Sequence, residues 1–145
     1  MTRQPPALIG TAHLLKRAYA GENLLPLHLR LIEKLDANPY DPGTLMDLCA
    51  LEQLLGDRSS GLSRQSAALS LQQTYQSSWP SSAGALRVLA LAAPGDIGTN
   101  TPIEFLLQGG GTVLTTLYLC PGQPIPTELP AHDIAIVTKI GRAHV

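Results

Sequence analysis

The hydrophobic pattern of the chain changes period across residues 76–84 (QSSWPSSAG), and that switch limits the folds open to it. Before the switch, apolar residues recur three and four apart, the spacing of one helix face. After it they arrive as short continuous runs, the mark of strands buried on both faces. The sequence therefore predicts an α/β chain in parts, with all-α antiparallel helical hairpins first. An incomplete, parallel, three-stranded Rossmann-like βαβ unit follows.

The helical half predicts four segments. Residues 7–19 carry Leu8, Ala12, Leu15 and Ala18, and residues 24–35 carry the stripe Leu24, Leu27, Leu31 and Leu35, widened by Leu25 and Ile32. Pro26 falls in an opening turn, where its missing N–H costs little. After the break at 38–43 (NPYDPG), residues 44–55 resume with Leu45, Leu48, Leu51, Leu54 and Leu55, and Gly56 ends them. A fourth helix spans 62–75 after a turn at 57–61. Asp47 and Glu52 are expected on solvated helix faces. Trp79 is expected to pack the joint against one side of it.

In the second half, residues 86–93 form a near-continuous apolar run interrupted by Arg87, and 112–120 (TVLTTLYLC) are rich in β-branched and aromatic residues. Residues 133–138 (DIAIVT) begin a third strand after the proline-rich loop PGQPIPTELP. Between the first two strands, Thr101-Pro102-Ile103-Glu104 has the form of a capping box, which predicts a helix over 101–108 ended by Gly109-Gly110-Gly111. A helix start after a strand is a common anion site. Here Pro102 offers no N–H, while Glu104 and Asp96 repel anions. Gly95 and Gly98 do not form the dinucleotide fingerprint. A phosphate cradle is not expected. The loop still sits where α/β folds bind ligands, so Asp96, Asn100 and Thr101 are the candidate substrate-binding residues.

Two resemblances follow from these residues. The turn Asn38-Pro39-Tyr40-Asp41-Pro42, the helix opening with Leu45 and Leu48, and Ala67 and Ala68 resemble a degenerate pair of tetratricopeptide repeats over 7–76. The stretch LRVLALAAPGDIGTNTPIEFLL, then TVLTTLYLCPG and HDIAIV, resembles the Rossmann-like domain that precedes the two lobes of ATP-grasp ligases. That resemblance implies a parent protein that joins a carboxylate to an amine using ATP and magnesium. It also implies that the ATP- and metal-binding residues lie in later lobes, so none is carried onto this chain. The expected division is 1–76 helical-repeat module, 77–84 linker, 85–138 partial Rossmann-like domain and 139–145 tail. Ile140-Gly141-Arg142-Ala143-His144-Val145 reads as one frame of a sequencing-library adapter, so the native sequence is expected to end near Thr138. The last strand is then an unprotected edge prone to association.

The remaining features exclude more than they assign. With 44% hydrophobic and 14% charged residues and a net charge of −1, the chain has neither the composition of a disordered segment nor a basic field for nucleic acid. No apolar stretch is long enough for a signal peptide or a membrane span. Cys49 and Cys120 are far apart, and His13, His28, His132 and His144 are scattered, so no metal, cofactor or catalytic residue is assigned. Cys120 is expected to be a small buried hydrophobe. A cytoplasmic setting is expected, with a protein partner, if there is one, bound through the helical module.

Overall fold

The computed structural model describes residues 5, 7–77, 79 and 83–140. Helices α1 (Thr11–Tyr19), α2 (Leu25–Ala37), α3 (Pro42–Leu54) and α4 (Arg58–Leu71) follow a two-residue strand β1 (Ala7–Leu8). Strands β2 (Thr74–Ser77), β3 (Leu86–Ala92), β4 (Thr112–Tyr118) and β5 (Ile134–Val137) form the rest of the sheet, with a short helix α5 (Glu104–Leu107) between β3 and β4. The strand order is β1-β2-β4-β3-β5. The fold is mixed α/β.

The three expected strands behave as their apolar runs dictate. β3 pairs in parallel with β4 on one side and with β5 on the other. The sheet is nevertheless not a three-stranded parallel one. β2 joins β4 antiparallel and β1 joins β2 in parallel, which extends the sheet to five strands. The expected helix over 62–75 stops at Leu71, and Gln72 is already extended. That places Tyr75 in β2, 1% exposed, with its hydroxyl donating to the Ala68 carbonyl at 3.1 Å. The linker expected from residue 77 thus begins inside a strand. Trp79 packs on Val88, Ala90, Ile103 and Leu114 as expected, and its indole N–H donates to the Thr112 carbonyl at 2.7 Å.

α3 is the centre of the molecule. Residues 43–52 are all buried, so this helix has no solvated face. Its close neighbour is α4, and they meet most tightly at Gly61. A Cβ there would lie 2.7 Å from the Cys49 carbonyl oxygen and 2.9 Å from Gln53 Cγ. Leu14, Leu27, Leu31, Leu35, Leu48, Leu51 and Leu69 fill one core with Tyr75, and Tyr118 and Cys120 of the sheet side pack against it. The helices and the sheet therefore share a core across residues 77–84.

Two corrections follow from the burial of α3. Asp47 and Glu52, expected in solvent, are each 6% exposed. Glu52 accepts from Arg64 Nε at 2.8 Å and lies 3.3 Å from His28 Nε2, which ties α2, α3 and α4 together. The capping box also fails. α5 has only four residues, its N-cap position is Ile103, and no side chain caps it. Thr101 N–H donates instead to the Thr138 carbonyl at 2.7 Å. Of the tail expected over 139–145, Lys139 bridges to Asn100 and Ile140 N–H donates to the Thr99 carbonyl. The rest of that expectation lies outside the described residues.

Candidate functional site

The carboxyl end of β3 runs into a loop that is fastened from several sides. Gln65 of α4 donates its amide to the Gly95 carbonyl and accepts from Gly95 N–H, both at 2.9 Å. Gln53 of α3 accepts from Ile97 N–H at 3.0 Å. Asn100 closes the loop on itself, accepting from Ala93 N–H at 3.0 Å and donating to the Ala93 carbonyl at 2.8 Å. Each amide imitates a backbone strand partner, so the loop is held without a ladder of its own. Gly95 has φ +153°, and a Cβ on it would collide with the Thr99 side chain.

Two of the three expected binding residues bond within the protein through their side chains, and Thr101 does so through its backbone N–H. Asn100 is spent on Ala93 and on the hydroxyl of Thr138, which donates to it at 3.3 Å. Asp96 accepts from Arg58 at 3.3 Å and from the Thr99 hydroxyl at 3.2 Å. Thr101 is exposed, with its N–H committed to Thr138. Asp96, Asn100 and Thr101 do share one cleft, but Asp96 and Asn100 serve chiefly to shape its wall.

That cleft is a cavity of about 100 Å³ between α3, the loop and one face of the sheet. At about 15 Å³ per water it holds roughly six waters, or a ligand of similar size. It exists because Ala90 and Ala92 of β3 stand beside Thr116 and Tyr118 of β4, leaving room where larger side chains would fill it. Cys49, Gln53, Gln65, Glu104, Thr116 and Tyr118 supply its polar lining. Tyr118 also meets Tyr75 edge to face, with centroids 6.0 Å apart and planes at 84°.

Burial sets the chemistry of this lining. It raises the Tyr118 phenol above its usual range, and Cys49, Glu104 and Cys120 nearby raise it further. Burial pushes the Cys49 thiol up to about 11, so it stays protonated and is a poor nucleophile near neutral pH. Burial likewise raises Glu104, opposed by the Ala12 N–H that donates to it at 3.1 Å. Just behind, Asp47 accepts from Ile9 N–H at 3.0 Å and Gly10 N–H at 3.2 Å. Desolvation outweighs both bonds and lifts Asp47 to about 6. The site thus offers neutral donors and buried carboxyl groups.

The backbone donors of the loop at Ala93, Gly95, Ile97, Thr99, Thr101 and Ile103 have protein acceptors. Among the described residues, no group of three or more His, Cys, Asp or Glu side chains could hold a metal ion. Among them, no helix is long and apolar enough to cross a membrane.

Most of the cavity lining escaped the sequence reading. One signal was there: Leu114, Thr116 and Tyr118 alternate along TVLTTLYLC and so share a face. Gln53 and Gln65 gave none, since their partners are 44 and 30 residues away. No family model, curated protein or solved structure matches the chain.

Proposed function

We propose that this chain is the substrate-side portion of an ATP-dependent carboxylate–amine ligase of the ATP-grasp kind, with ATP handled by residues outside it. The observation that carries the reading is the cavity where β3 and β4 end, with Glu104, Thr116 and Tyr118 around it. Carboxyl edges of parallel strands are where α/β folds take ligands. The lining suits a small, polar, neutral or cationic molecule, since Glu104 would repel an anion.

The test is an NMR titration of the chain with glycine, ethanolamine and Mg·ATP in separate arms. Amide shifts at Ala92, Gly95, Thr116 and Tyr118 with glycine or ethanolamine, reduced in Glu104→Gln, are expected. Mg·ATP should leave the loop unmoved. Shifts with Mg·ATP alone, or none with the two amines, would overturn the reading.

One observation favours a second reading, a helical interaction module with the sheet as a non-catalytic platform. Tyr19, Leu25, Leu29 and Tyr40 are all more than half exposed around α1 and α2. Leu25 and Leu29 are one turn apart on α2. A Leu25→Ser, Leu29→Ser variant that lost a bound protein but kept the amine shifts would establish it as a separate role.

A further inference from the structure

Among the described residues, the outer edge of β5 is unpaired. Ile134, Ala135, Ile136 and Val137 are all exposed, Val137 to 72%. On the inner strands the corresponding face is roofed: Val88, Ala90 and Leu114 lie under Ile103 and Leu107. α5 is too short to extend that cover to β5. Among the described residues, β3 is the one strand paired with β5.

The edge is chemically ready to pair. In a parallel ladder alternate residues turn their N–H and C=O groups to the neighbour. Thr138 N–H donates to the Leu91 carbonyl and Leu91 is the register partner of Val137, so Ile134 and Ile136 face β3 while Ala135 and Val137 present theirs outward. Thr138 continues that parity, its N–H donating to the Leu91 carbonyl and its carbonyl accepting from Thr101 N–H on the inner side. No proline interrupts the open stretch, and no charged side chain lies within it.

The flanking charges choose the partner and its direction. Asp133 stands at one end, bound to Arg87 at 3.0 Å but 39% exposed, and exposed Lys139 stands at the other. Parallel pairing of two β5 strands would set Lys139 against Lys139 and Asp133 against Asp133. Antiparallel pairing brings each Lys139 toward the other copy's Asp133. We infer that the open edge of β5 receives β5 of a second copy of this chain, antiparallel across a twofold axis. The two five-stranded sheets become one continuous sheet. A four-residue edge buries less than the ~1,200 Å² of a stable interface, so the dimer is weak and reversible.

Sedimentation equilibrium of the full chain, from about 10 µM to about 1 mM, reads this directly. The weight-average mass is expected to climb toward twice the monomer's, with amide exchange at Ala135 and Val137 slowing in parallel. Val137→Pro removes an outward N–H and should abolish association. Lys139→Glu, a surface change that leaves the fold alone, should weaken it about tenfold by setting Glu against Asp133. A monomer at every concentration overturns the inference. So does growth beyond the dimer, or association that Lys139→Glu or a folded Val137→Pro leaves unchanged.

Discussion

Asp47 shows how a residue's chemistry is decided by what surrounds its helix. On the sequence it is one charge amid Leu45, Met46, Leu48, Cys49, Ala50 and Leu51. Those six apolar neighbours leave α3 no wet face, and that was the available sign that Asp47 and Glu52 could not be solvated. The consequence is measurable. The carboxyl of Asp47 is lifted from 3.8 to about 6 on folding, so between those values the folded state binds more protons than the unfolded one. Stability from this group is full below about pH 4 and is lost as pH rises through about 6. Buried Glu104 shifts in the same direction. Urea unfolding should therefore show the chain gaining on the order of 2 kcal/mol from Asp47 between pH 7 and pH 4.5. Asp47→Asn should abolish that slope. It should also cost about 1–3 kcal/mol at pH 5, because its NH2 group confronts the N–H of Ile9 or Gly10. A wild-type slope that survives the substitution would reassign the effect.

At the scale of elements, the pieces read correctly from sequence are those whose own residues determine them. β3 and β5 are largely apolar runs, and α2 and α3 follow the expected leucine spacing, so there local pattern and final structure agree. The first helix instead starts only at Thr11 after β1, and the fourth spans Arg58–Leu71, taking in most of the turn expected at 57–61. β2 was missed because Thr74-Tyr75-Gln76-Ser77 holds one apolar residue, and the ladder of β4 makes it a strand. The helix expected over 101–108 shrank to α5 because Glu104 serves α1, 92 residues away, rather than its own first turn. The loop before it is likewise defined from outside, by Gln53 and Gln65. Removing one clamp should loosen the cavity wall without unfolding the chain. Gln65→Ala strands the N–H and C=O of Gly95, a cost of about 1–3 kcal/mol. It should quicken amide exchange at Gly95 and Ile97 while leaving β3 protected. Gly95→Ala drives a Cβ into Thr99 at a positive φ and should destabilise by a similar amount. Should exchange at Ile97 be unaltered in Gln65→Ala, the loop would be held by its own turns.

For the molecule as a whole, the change of period at 76–84 marks a change of element type but leaves the core unbroken. β1 and β2 come from the helical half yet complete the sheet of the second half. Tyr75 and Tyr118 meet in the core that α3 fills, and Glu104 and Gln108 of the second half bond Ala12 and Lys16 of the first. Such sharing predicts one cooperative transition rather than two. Circular dichroism at a helix-sensitive wavelength and the fluorescence of Trp79, which packs on Val88, Ala90 and Leu114 of the second half, should give coincident thermal curves. A cut chain sharpens the point. Residues 77–140 alone would expose the edge of β4 that β2 now pairs and the apolar faces of Leu114 and Tyr118. That piece should be unfolded or aggregated when produced by itself, and should gain helix-packed structure when mixed with residues 1–76. A folded, monomeric 77–140 would show instead that the sheet holds without its helices, and that the two halves are joined rather than merged.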